Sequence, residues 1–102
     1  MKKSLTSYAD IEIKAIHAKS RRLNRFLKND HSYVLLDMIE KHIEEIKDRY
    51  SKADKHYLIE TGDLIVLCLE LINEAKQSSD EVLSKCYPRF HKKLDYLIKT
   101  TC

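Results

Sequence analysis

The chain has 102 residues with 43% apolar content, one glycine, one proline and no tryptophan. That composition fits a single helical domain over residues 1–102 and excludes an all-β fold, which needs more turn residues. The net charge of +3 hides a segregation: residues 1–30 carry eight Lys or Arg against three acids, residues 37–81 twelve acids against six bases, and residues 82–102 five bases against one acid. Solvated helix faces are the usual explanation of such a pattern; the sharper one is an acidic centre that holds a cation, flanked by basic segments that receive a polyanion.

The first helix is predicted from Thr6 to Lys28, with Tyr8, Ile11, Ala15, Leu23, Phe26 and Leu27 as an interrupted apolar stripe. The second begins near Asp30 or Ser32, either of which can cap it, and sets Leu35, Ile39, Ile43, Ile46 and Tyr50 on one face. The loop "SKAD" leads into a third helix that reaches about Lys76, with Asp54 as a candidate cap. Ser78 and Glu81 form a capping box for the fourth, which Pro88 is expected to kink or split. The longest nearly apolar run, Leu64 to Ile72, is shorter than the ~20 residues of a membrane span and contains Glu70. The opening "MKKSLTSYADIEI" lacks the apolar h-region of a signal peptide, and Cys68, Cys86 and Cys102 are an odd number without metal-ligand spacing. A cytoplasmic protein with reduced cysteines and no membrane partner is the expectation.

The third helix is apolar on most of its circumference, leaving a narrow strip for Glu60, Asp63, Glu70 and Glu74. Carboxylates on a buried helix are costly unless a cation or a hydrogen-bond network satisfies them. Glu40 and Glu44, an i, i+4 pair beside Glu45 on the second helix, are the candidate partners across an antiparallel packing. Four oxygen ligands from two facing helices suit Mg²⁺ or Mn²⁺. Glutamates on helices mostly face solvent, which is the plain alternative for Glu40, Glu44 and Glu45. His17, His31 and His91 have no ligand spacing and read as surface or boundary residues.

The stretch "IETGDLIVLCLELINEAKQSSDEVLSKCYPRFHKKLDYL" resembles the second half of the MazG-type all-α nucleoside triphosphate pyrophosphohydrolases. Its Glu60-x-x-Asp63, "DEVL" and "RFHKKL" stand where that family has an E-x-x-D motif, a D/E-E-A-L-like turn and a K-F-x-R-R-F-like segment. The family's first motif, E-E-x-x-E, falls on "EKHIE", matching Glu40 and Glu44 with Lys41 in a ligand position, or one residue later on "KHIEE", with Lys41 and His42 in place of both glutamates and Glu45 as the third acid. The first register is preferred because "DHSYVLLDMIE" upstream fits it. The resemblance implies a MazG-type four-helix bundle with Glu40, Glu44, Glu60 and Asp63 holding Mg²⁺ or Mn²⁺, and Glu60 and Asp63 serving catalysis. It implies hydrolysis of a nucleoside triphosphate to the monophosphate and pyrophosphate, with Arg89, Lys92 and Lys93 steadying the phosphates and Asn73 meeting the nucleotide. Gly62 would allow a neighbouring helix to approach closely.

Two other readings are open. Lys41, which opposes a cation, fits a catalytically inactive bundle that binds a nucleotide or only itself. Arg49 and His56 match the loose R-x(4–6)-H spacing of HEPN-like ribonucleases, although no nucleic-acid partner is otherwise expected. A third helix so apolar all round calls for a homodimer or higher oligomer.

Overall fold

The computed structural model describes residues 4–101, with side chains from residue 11 onward. Four helices follow in order: α1 Ser4–Leu27, α2 His31–Ser51, α3 Tyr57–Glu74 and α4 Ser79–Thr101. The described residues contain no strand, so the chain is all-α, and no helix is long and apolar enough to cross a membrane.

Local chemistry explains where the helices begin and end. Asp30 is the N-cap of α2, its carboxylate accepting from the backbone N–H of Ser32 at 3.1 Å and of Tyr33 at 3.3 Å. Asp54 does not cap α3. It accepts from the His56 N–H and from Arg49 Nη1, both at 2.9 Å, and so braces the turn before the helix, while His56 takes the N-cap position without a side-chain bond. These donors hold the Asp54 carboxyl below its ordinary range, the His56 amide contributing most and Arg49 next. Ahead of α4, Ser78 Oγ accepts from the Glu81 N–H at 3.4 Å, the serine half of the expected capping box. The helix is not split at Pro88 but runs unbroken through it. Residues 87–101 and Ser84 are exposed, so water can serve the Ser84 carbonyl that the proline leaves without an N–H.

Lys28, Ala53 and Lys76 adopt left-handed φ values of 61°, 58° and 60° just beyond α1, α2 and α3. In each case the next N–H reaches back five residues: Asn29 to Asn24, Asp54 to Arg49 and Gln77 to Ile72. This is the closure that glycine usually supplies. The chain's one glycine stands elsewhere, in the first turns of α3. It is exposed and a Cβ on it would meet nothing within 4 Å, so Gly62 serves no close approach between helices of this chain.

α3 is the hub. It packs on α2 as an antiparallel hairpin, also meets α1, and carries α4, whose main contact is with α3. The buried apolar side chains among the described residues are Ile13, Leu35 and Leu67. α1 is turned contrary to its apolar stripe: Ile13, His17, Ser20 and Asn24 point inward, while Ile11, Leu23, Phe26 and Leu27 are exposed and Tyr8 lies outside the described side chains. The inward turn follows from α3, whose Glu70 and Glu74 require polar partners on the facing helix.

Candidate metal centre

The α2 face that meets α3 carries Leu35, Ile39, His42 and Ile46, spaced by three or four residues. His42 therefore faces α3, while Glu40, Glu44 and Glu45, together with Lys41, are exposed. The expected pairing of Glu40 and Glu44 with Glu60 and Asp63 is not formed, and these two glutamates belong to neither of the donor clusters present. The residue opposite Glu60 and Asp63 is His42, as in the alternative register "KHIEE", although its third acid, Glu45, faces solvent.

His42 Nε2 lies 3.4 Å from Glu60 Oε1 and 3.8 Å from Asp63 Oδ2. Its other nitrogen, Nδ1, is 2.9 Å from the Met38 carbonyl oxygen. A carbonyl only accepts, so Nδ1 must carry a proton, and in the neutral ring Nε2 presents a bare lone pair to two carboxylates. Glu60 is buried, and its second oxygen is 3.5 Å from His56 Nε2. Asp63 is 57% exposed and opens onto a groove of about 320 Å³ shared with Ile16, Met38, His42, Val66 and Leu67. Donors bound at ~2.1 Å in a tetrahedral shell lie ~3.4 Å apart, close to the separations from His42 Nε2. One imidazole and two carboxylates fit a divalent ion, and the nitrogen favours Mn²⁺ or Zn²⁺ over Mg²⁺. The signal for His42 was in the sequence, since it continues the apolar spacing of α2.

Arg89, Lys92 and Lys93 border shallow clefts on α4 with Cys86, Phe90 and Tyr96, none of which line the groove at Asp63. Asn73 is ten residues, about 15 Å, farther along α3 and borders a recess with Ile13 and Lys14. Arg49 is engaged by Asp54 at 2.9 Å, and His56 stands by Glu60. Cys68 and Cys86 form no disulfide, and Cys102 lies outside the described residues.

A second cluster occupies the seam between α1, α2 and the far end of α3. His17 is buried, contrary to its reading as a surface or boundary residue, while His31 is a boundary residue whose side chain is 9% exposed. His17 Nε2 is 3.2 Å and His31 Nε2 3.8 Å from Glu74 Oε1, and His17 Nδ1 is 3.6 Å from Glu70 Oε1. Arg21 Nη1 donates to both Glu74 oxygens at 2.7 and 2.8 Å. Burial raises the Glu74 pKa most strongly, but the Arg21 hydrogen bond and charge, with His31 and His17, together hold it below its ordinary value.

No protein-family model, curated protein or solved structure matches this chain.

Proposed function

We propose that the protein is a metal-dependent nucleoside triphosphate pyrophosphohydrolase whose ion is held by His42, Glu60 and Asp63. The observation that carries this reading is the orientation of His42, whose only available lone pair faces two carboxylates beside an open groove. The E-x-x-D resemblance supplies the reaction class. Glu60 and Asp63 hold the cation, and the Met38 carbonyl fixes the His42 ring. A divalent ion bound there supplies Lewis acidity toward phosphate oxygens and acidifies water. Asn73 is left out of this site, and Arg89, Lys92 and Lys93 reach the triphosphate only from α4 of a second copy.

The test is a panel of nucleoside triphosphates and one structured RNA with Mg²⁺ or Mn²⁺. Pyrophosphate release is expected from at least one triphosphate, faster with Mn²⁺, and Asp63→Asn should lower it at least ~100-fold, because loss of an outer partner alone typically costs 10- to 100-fold. Arg49→Ala and His56→Ala should leave most of the rate; RNA cleavage lost with either change would assign the ribonuclease reading instead. Silence across the triphosphate panel sinks the proposal.

Self-association has its own support. The chain exposes 8404 Å² for a mass of 12.1 kDa, against roughly 6000 Å² for a compact monomer. Its radius of gyration is 16.5 Å, against about 13 Å. The excess, ~2400 Å² per chain or ~4800 Å² for a pair, lies at the upper end of what obligate dimers bury. Exposed Phe26 on α1, Leu58, Ile59 and Ile65 on α3, and Phe90 and Leu94 on α4 supply the apolar surface. Sedimentation at micromolar concentration should show a dimer or larger. Phe26→Asp, at a side chain with 81% exposure, should weaken association at least ~10-fold with little change in monomer stability. A monomer of the unaltered chain refutes this assembly.

A further inference from the structure

We propose that His17, His31 and Glu74 form a second, structural site for a divalent transition-metal ion of the zinc class, clamping α1 and α2 to α3. Both imidazole Nε2 atoms converge on one oxygen, Glu74 Oε1, at 3.2 and 3.8 Å. Those separations bracket the ~3.4 Å edge of a tetrahedral shell with bonds of ~2.1 Å. The rings meet edge to face, their centroids 5.2 Å apart, so two lone pairs can point at one centre without stacking.

The surroundings are those of a ligand set held from behind. His17 Nδ1 faces Glu70 Oε1 at 3.6 Å, and Glu70 in turn accepts from Ser20 Oγ at 2.5 Å. The Glu70 carboxylate beside Nδ1 favours the tautomer with the proton on that nitrogen and leaves Nε2 bare, although at 3.6 Å the two atoms are not hydrogen-bonded. His31 Nδ1 is 2.7 Å from the Asn24 side-chain amide. That amide presents either its oxygen or its nitrogen, and with the oxygen turned to Nδ1–H the second Nε2 is bare as well. Glu70 and Asn24 are both buried, 3% and 6% exposed, so neither is a casual surface contact.

Two atoms at this place lack the hydrogen bond that buried polar atoms normally have: His31 Nε2 and His17 Nδ1. His31 Nε2 points at the Glu74 oxygen. With neutral imidazoles, Glu70 and Glu74 bring two negative charges against the single charge of Arg21. One negative charge remains, which a divalent ion more than offsets. Two histidines and a carboxylate leave a fourth position for water, and His31 and Glu74 border a recess of about 330 Å³; the structural role rests on the ligands joining three helices.

Co²⁺ reports tetrahedral nitrogen and oxygen ligation by its visible absorption, and the two clusters can be separated by variants. The unaltered chain should bind two Co²⁺ per chain, Asp63→Asn one, and the double variant Asp63→Asn with His31→Gln none. In Asp63→Asn the remaining ion should shift the ring signals of His17 and His31 in the NMR spectrum, and Zn²⁺ should displace it and raise the unfolding temperature. Lowering the pH should expel the ion as the imidazoles take up protons. Asp63 is largely exposed, so Asp63→Asn folds even if the double variant does not. An Asp63→Asn protein that binds no Co²⁺ overturns the second site and leaves the Asp63 site standing. One retained Co²⁺ in Asp63→Asn from a chain without pyrophosphohydrolase activity upholds the second site and removes the first.

Discussion

The two clusters along α3 use the same donors, imidazole and carboxylate, and differ in how deeply the side chains are buried. At the far end, His17 and Glu70 are buried, while His31 and Glu74 border a recess of about 330 Å³ with Arg21 and Asn24; Glu70 is backed by Ser20, His31 Nδ1 by Asn24 and Glu74 by Arg21, but His17 Nδ1 and His31 Nε2 have no hydrogen-bond partner. At the near end, Asp63 stands in a groove and one side of the cluster is left to solvent. A buried polar network must be matched at every member or it costs stability, whereas an open one keeps positions for a ligand that comes and goes. The more buried cluster is therefore the one expected to carry stability, and the cluster at Asp63 the one expected to take a ligand.

The largest expected effect separates the two directly. Glu70→Ala removes the acceptor of Ser20 Oγ and the partner of His17 Nδ1 at a side chain 4% exposed. Stranding buried polar groups costs roughly 2–3 kcal/mol, a large share of the stability of a chain this small. Asp63→Asn, at an exposed side chain, should change stability by less than about 0.5 kcal/mol while removing activity. Urea unfolding of both variants measures this. Equal losses would erase the distinction between framework and chemistry.

Much of the fold was legible because its signals are local. Asp30 and Ser78 were visible as caps, and the four helices follow from apolar spacing and polar breaks. Asp54 was visible as a turn residue but not as the brace of a loop rather than a cap, since Arg49 reaches it only once α2 has ended. The orientation of α1 was not legible. Its sequence offers an apolar stripe and, on the opposite side, Ile13, His17, Ser20 and Asn24; periodicity says that there are two faces, and the choice between them depends on Glu70 and Glu74, some fifty residues away. The same limit hid the partner of Glu60 and Asp63. Counting carboxylates favoured Glu40 and Glu44, while the apolar spacing of α2 pointed to His42. A ligand register is better read from the face that packs than from the residue types a motif prefers.

A smaller effect sharpens the open cluster from the other side. Gly62 sits between its two acids, and a Cβ there meets open space. Gly62→Ala should thus stabilise the protein by roughly 0.5–1 kcal/mol, the helix-propensity difference. Ala53→Gly should also stabilise, by relieving the left-handed residue after α2. Thermal unfolding checks both. If Gly62→Ala instead destabilises a dimer while Ala53→Gly stabilises it, the partner subunit approaches α3 at Gly62, next to the metal centre.

The smallest effect expected is that of Lys41→Glu, and its size is what makes it informative. In the register that pairs Glu40 and Glu44 with Asp63, position 41 is itself a ligand, and a glutamate there would add a direct bond to the ion and tighten binding by well over tenfold. Lys41 is instead exposed, with His42 taking the inward direction. Its charge then acts only through water. Reversing one charge at roughly 10 Å from a divalent ion is worth ~1.7 kcal/mol in unscreened water, and physiological salt cuts this to ~0.5 kcal/mol, about twofold in affinity. Calorimetric titration with Mn²⁺ at two salt concentrations separates the cases. A gain of about twofold that fades in high salt keeps Lys41 at the surface and His42 as the ligand from α2. A larger gain that survives high salt would turn α2 by one residue and return Glu40 and Glu44 to the centre.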